Sequence, residues 1–275
     1  MTFISLKEEF AFREVFGLEV VRKQFVSDVT GIPQDAIKTV RVVSPFLRKR
    51  LRKQKLGILD LALTLNDDTK MDIEVQLRPQ RFWIKRNLFY LAHLYVDELW
   101  VGENYDRLKK SIAISILDFK LIAGQQYHSV YTLKDKDGKE LTDLFEVHII
   151  ELKKTLTGDD PINSWIRLFN AETEEDLQMI KNISTGIFQA VEVLQRLGLS
   201  RSARWHFEQS LKAKRDRWAE DEYVREEGRE QGVLLRDRQL IKAWLQKGYS
   251  IEHIAELLDE DIDTVRRMCE QLKEK

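Results

Sequence analysis

The chain has one cysteine, Cys269, in 275 residues, so neither a disulfide framework nor a cysteine-based zinc site can organise it. Histidine is nearly as sparse. His93, His128, His148, His206 and His253 are scattered without ligand-like spacing, which argues against a histidine-bound zinc centre. No apolar run approaches the roughly 20 residues needed to span a bilayer. The opening MTFISLKEEF turns acidic too early for a secretion signal, so the expectation is a cytoplasmic protein with no membrane partner. Net charge is also nearly absent, at −1 with 33% charged residues, so attraction to nucleic acid must come from a local patch. No repeat of 20–50 residues is visible. What is present is 43% hydrophobic residues, enough for one sizeable core with appendages.

Along the chain, LKEEFAFREVF (6–16) has helical spacing and stops at Gly17, which predicts a short helix with a glycine cap. KTVRVVS (38–44) predicts a strand. The runs 57–65 and 71–77 predict a hairpin around the turn-rich segment 66–70. RFWIKRNLFYLAHLYVDELW (81–100) and SIAISILDF (111–119) predict a crossover helix leading to a buried strand, and 131–152 a hairpin that continues the sheet or covers it. From 161 onward strand signals fade, and helices are predicted near 162–170, 173–197 and 202–226. The division expected is a core over 1–155, a helical extension and charged tether over 156–236, and a small helical unit over 237–275.

The hairpin carries acids where strands seldom do. Alternation puts Leu59, Leu61, Leu63 and Leu65 on one face and Asp60, Ala62 and Thr64 on the other. Met71, Ile73, Val75 and Leu77 must meet the leucines, which leaves Asp72, Glu74 and Gln76 beside Asp60. A three- or five-residue loop sets Asp60 opposite Glu74 or Gln76. Carboxylates so placed, about 5 Å apart, repel unless a cation lies between them. Magnesium, which takes oxygen ligands and keeps several waters, fits Asp60, Glu74 and the backbone carbonyl near Val75. The competing explanation is an antiparallel sheet with one wet face, on which acids are ordinary.

The element order, a helix with Glu9, a strand, a hairpin bearing Asp60 and Glu74-Val75-Gln76, a helix and a buried strand, resembles the αβββαβ core of the PD-(D/E)XK nuclease superfamily. EFAFREVFG (9–17), GILDLALTL, IEVQ (73–76), RNLFYLAHLYVDEL (86–99), SIAISILDF, HIIELKK (148–154) and EGREQG (227–232) resemble more closely the recombination-promoting nuclease and transposase (Rpn) family. The resemblance implies an α/β (α+β), restriction-endonuclease-like fold with a helical C-terminal extension. It makes Asp60 and Glu74 metal ligands, Glu9 an outer ligand or water holder, and Gln76 the occupant of the position named for lysine. Glutamine offers a neutral donor and acceptor where lysine offers a cation. For Glu9, a solvated helix acid is the equal alternative.

Arg86 and Tyr90, four apart, share a helical face and are candidates to touch phosphate or cap the site; alternatively Tyr90 packs its ring inward beside an exposed Arg86. RKRLRKQK (48–55) places Arg48, Lys49, Arg50, Arg52, Lys53 and Lys55 just ahead of Asp60, where they could grip a DNA backbone. That run lacks interleaved aromatics, so base stacking there has no support. In 240–272, Gly248, the N-cap candidate Ser250, Ala255 and Val265 resemble a helix-turn-helix, with Asp259 at the turn position that prefers glycine. Arg266 and Arg267 are its phosphate-binding candidates, but the surrounding acids favour packing or self-association at least as well. Two functions compete: a magnesium-dependent DNA endonuclease that promotes recombination, and a nuclease-fold DNA- or protein-binding scaffold with weak or lost catalysis.

Overall fold

A computed structural model describes residues 2–43, 60–65, 68–96, 99 and 102–273. The chain divides into two compact units, Met1–Phe207 and Glu208–Lys275. The first unit is built on a six-stranded sheet in the order β1-β2-β3-β4-β6-β5. Its strands are β1 (Val40–Val42), β2 (Leu61–Leu65), β3 (Lys70–Gln76), β4 (Ser111–Leu117), β5 (His128–Lys134) and β6 (Glu140–Glu151). β1, β2 and β3 are antiparallel, β3–β4 and β4–β6 are parallel, and β5 returns antiparallel on β6. The hairpin 131–152 therefore continues the sheet. β4 is buried along its whole length, as expected for a strand covered on both faces.

On one face, Leu61, Leu63, Leu65, Met71, Ile73, Ile112, Ile114 and Ile116 join a core with α1 (Glu9–Phe16), α2 (Glu19–Thr30), α4 (Ile162–Asn170), α5 (Glu174–Ile180) and α6 (Thr185–Leu199). Edge-on aromatic contacts organise it: Phe25 meets Phe16 and Trp165 with ring centroids 5.1 Å apart in each case. On the other face lies α3 (Trp83–Val96), the crossover between β3 and β4. Its Leu94 and Tyr90 pack on Ala62, its Trp83 on Leu117 and Ile149, and Asn87 Nδ2 donates to Ser115 Oγ at 2.8 Å.

Several expectations are corrected. Helices α4 to α6 share the core of the sheet, so packing divides the chain after Phe207 and not after residue 155. The helix expected over 173–197 is two, because Thr173 forms a capping box with Asp176 for α5 and Ser184 caps α6 through Ile187 N–H. Gly17 is not a left-handed cap. It is right-handed, with φ −61°, and the carbonyls of Phe16 and Gly17 are taken by the buried Arg22 guanidinium at 2.7 and 2.6 Å. Of the exposed helix or tether expected in the charged stretch, the structure has the helix: α7 (Arg201–Gln246), 46 residues long, contains the stretch expected over 202–226 and continues through Gly228 and Gly232.

In the second unit, Ile241, Ile254, Ala255, Val265 and Cys269 form a small core between the end of α7, α8 (Ile251–Leu258) and α9 (Ile262–Lys273). Ser250 caps α8 through His253 N–H. Asp259 takes the left-handed conformation, φ 55°, that glycine would supply. Asp261 accepts from the N–H groups of Asp263 and Thr264 at 2.9 Å each.

Candidate functional site

β2 and β3 pair Leu61 with Ile73, Ala62 with Asp72, Leu63 with Met71 and Thr64 with Lys70. Leu65 N–H donates to the Thr69 carbonyl at 2.9 Å, and Asp68 is left-handed, φ 63°, so three residues turn the hairpin. Continuing this register sets Asp60 across from Glu74 rather than Gln76. Asp60 lies just ahead of β2, and its Oδ2 accepts the Val75 N–H at 3.1 Å, so a side chain replaces a strand carbonyl there. In an extended strand a residue's N–H and C=O face the same side, which directs the Val75 carbonyl toward Asp60 too.

Three carboxyls on this face are pushed above their ordinary pKa range. Burial is the main cause for each. For Asp60, the Val75 hydrogen bond opposes it, Glu9 adds repulsion, and Arg13 and Arg86 offset that. Asp60 is exposed at the rim, yet its carboxyl is crowded enough by protein for desolvation to dominate. For Glu74, Arg86 opposes the upward shift and Asp60 reinforces it. Asp72 is only 2% exposed and is raised furthest, with Glu74 and Asp60 adding repulsion. Glu74 Oε2 and Asp72 Oδ1 are buried without a hydrogen-bond partner.

Arg86 is the hub of the site. Its Nη2 pairs with Glu74 Oε1 and donates to Gln76 Oε1 at 2.8 Å, while its Nη1 donates to Gln80 Oε1 at 2.6 Å. Gln76 turns its amide nitrogen away, donating to the Arg78 carbonyl at 2.8 Å, so its oxygen is free to hold the guanidinium. A cation therefore stands at the glutamine after all, delivered by α3. Tyr90 is partly buried on Ala62 and Leu94, which is the packing alternative raised for it. Glu9 is exposed and paired with Arg13 at 2.9 Å, near enough to Asp60 to repel it. Arg48, Lys49, Arg50, Arg52, Lys53 and Lys55 lie outside the described residues.

Two further residues take part. Asp72, which alternation sets on this face beside Glu74 and Gln76, had no role in the sequence reading; its burial depends on α3 lying over it. Arg13, one helical turn after Glu9, had the i,i+4 spacing of an ion pair as its signal.

The chain's own donors fit a hard divalent cation. Glu74 Oε2 and Asp72 Oδ1 are orphaned acceptors, and Asp60, Glu74 and the Val75 carbonyl are all oxygen donors. Among the described residues no group of three or more His, Cys, Asp and Glu gathers as a metal cage. Two carboxylates and a carbonyl would leave room for several waters, which magnesium retains. Likewise, no helix among the described residues is long and apolar enough to cross a membrane.

A family model described as PD-(D/E)XK nuclease family transposase matches residues 6–223. That span takes in the sheet, α1 to α6, the hairpin acids and Arg86. Neither curated proteins nor solved structures gave a match.

Proposed function

We propose that this chain, which belongs to the PD-(D/E)XK nuclease family transposases, is a magnesium-dependent endonuclease that hydrolyses DNA phosphodiesters at the Asp60–Glu74 hairpin. The observation that carries this reading is the register that sets Asp60 beside Glu74, on a face where buried carboxylate oxygens lack partners and an arginine stands at the lysine position. A sheet with one wet face does not account for it, because α3 covers this face and Asp72 is buried. Burying acids without chemistry for them would cost stability and return nothing.

Asp60, Glu74 and the Val75 carbonyl would hold the ion, with Glu9 and Arg13 at the outer edge. When bound, magnesium supplies a water of lowered pKa and positive charge beside the phosphoryl oxygen. Hydrolysis of the ester would add a water oxygen to phosphorus, break one P–O bond and pass a proton to the leaving oxygen, with Asp60 and Glu74 as the carboxylates nearest that chemistry. Arg86 pairs with Glu74. Because Gln76 and Gln80 also hold the guanidinium, releasing Glu74 leaves Arg86 poised to donate to a phosphate oxygen, the electrostatic role a lysine would have. The bases at 48–55 would grip the flanking backbone, and self-association through the C-terminal helices would pair two cuts for recombination or transposase-like processing in the cytoplasm.

The Arg86–Glu74 pair also favours the rival, a binding scaffold in which arginine permanently fills the place of the metal. Nicking of supercoiled plasmid decides between them. The nuclease converts it to open circles with magnesium, stops with a chelator, and is silenced by Asp60→Ala; a scaffold binds the plasmid and leaves it closed.

A further inference from the structure

α3 turns Trp83, Leu91 and Leu94 into the protein and leaves a second stripe outside. Phe89 on that stripe is 38% exposed, and Phe82, in the turn just ahead of α3, is 60% exposed. Cations interleave with these rings: Arg81 Cζ lies 5.2 Å and Lys85 Nζ 5.8 Å from the Phe82 ring centroid. Together with Arg86 and Tyr90 they line a groove of about 530 Å³, whose lining contains three cations and no carboxylate. Arg86 is at once a wall of this groove and the partner of Glu74 and Gln76, so one side chain links the groove to the proposed catalytic carboxylates.

Exposed aromatic faces between cations suit one kind of polyanion. Duplex bases are already stacked on one another and offer no free face to Phe82 or Phe89. Unpaired bases do, and stacking on aromatic side chains, helped by arginine, is how single strands are held without sequence preference. The volume suits one or two nucleotides among ordinary ligand grooves. The aromatics missing from the basic run at 48–55 are thus found on α3 and in the turn ahead of it.

Resting on the nuclease reading above, we propose that Arg81 and Phe82 in the turn ahead of α3, with Lys85 and Phe89 on α3, form a single-stranded nucleic-acid platform that presents unpaired nucleotides to the Asp60–Glu74 site. The substrate class is then DNA with a single-stranded portion, such as a flap, bubble or frayed end, in preference to uniform duplex.

The test is fluorescence anisotropy on the full chain with a chelator, so that binding is read without cleavage. The probes are a labelled oligothymidylate, an abasic strand of the same length and a blunt duplex. Oligothymidylate should bind more tightly than the abasic strand by roughly tenfold per stacked base. A Phe82→Leu, Phe89→Leu double variant keeps apolar bulk at two exposed positions and should erase that difference. The same variant should hydrolyse a small phosphodiester, bis-p-nitrophenyl phosphate, at the parent rate with magnesium. Equal affinity for thymidylate and abasic strands, or a preference that survives the double variant, overturns the platform and makes this face a protein-docking surface. A platform that behaves as stated in a chain whose Asp60→Ala variant still cleaves would overturn the nuclease reading alone.

Discussion

The two faces of the sheet are buried by opposite strategies. Beneath α1, α2 and α4 to α6, the strands contribute leucine, isoleucine and methionine, and the packing is a hydrocarbon core. Beneath α3 the same strands contribute Asp72, Glu74 and Ser115, met by Asn87 and Arg86. Period-two alternation makes each strand serve both purposes. The first face holds the fold together, and the second gives up stability so that charge can be held away from water, where electrostatic interactions are stronger. Changes on the two faces should therefore separate stability from activity.

The largest expected effects are on the acid face and in activity. Asp60→Ala should abolish plasmid cleavage while leaving the far-ultraviolet circular dichroism spectrum and thermal midpoint near the parent's, because it also relieves repulsion with Glu74. On the apolar face, Phe25→Ala should cost about 3–5 kcal/mol in urea unfolding, since Phe25 is fully buried between Phe16 and Trp165. Its cleavage per folded molecule should be unchanged. If Phe25→Ala impairs cleavage as severely as Asp60→Ala does, the two faces are not separable.

Arg86→Ala mixes the two effects. It strands Glu74 as a buried acid without its counter-charge and removes a donor from the site, so both stability and turnover should fall, turnover by roughly 10²–10³-fold. Arg86→Lys should restore part of each. An Arg86→Ala variant with parental turnover would assign Arg86 to structure alone.

A smaller effect separates the faces by pH. Asp72 is neutral in the folded chain over a range where the unfolded chain ionises it, so its contribution is fully present below the unfolded aspartate pKa and is lost as pH rises toward the folded value. Asp72→Asn should therefore be more stable than the parent at neutral pH, with the gap closing as pH falls below about 4. The opposite sign is expected at the β5–β6 edge. There His128 Nε2 contacts His148 Nδ1 at 2.9 Å, and His148 in turn contacts Glu146, which Lys110 also faces. Burial and His148 lower the His128 pKa to about 4, so stability there is lost as pH falls from about 6.5 toward that value. His128→Gln should flatten this decline in a series of urea midpoints.

Smallest is the salt effect. If the bases at 48–55 grip phosphate, neutralising them should reduce the slope of log affinity against log salt by roughly 0.9 for every duplex phosphate no longer neutralised. An unchanged slope would leave the run without a role in binding.

How far the sequence could be read follows from the range of each interaction. The hairpin was legible because alternation and turn residues are local, and both allowed loops kept Asp60 among the acids; only the turn itself, with Asp68 left-handed, selects Glu74 as its neighbour. Gln76 looked like a lost cation because Arg86, ten residues on, reaches it only once α3 folds back over β3. Alternation set Asp72 on the acid face, but its burial follows only from α3 folding over it. The apolar stripes of α4 and α6 announced helices without saying which surface they cover, so the core appeared to end near residue 155. The helix continues through Gly228 and Gly232 because a glycine costs a helix only about 1 kcal/mol and the surrounding residues of α7 carry it.

If the acid face holds a divalent ion, calorimetric titration of magnesium into the full chain, its Asp60→Ala variant and its Phe25→Ala variant detects it without reliance on turnover. Magnesium should bind the parent and the folded fraction of Phe25→Ala, and should not bind Asp60→Ala. Absence of binding in the parent, or equal binding by Asp60→Ala, would contradict an ion site on that face.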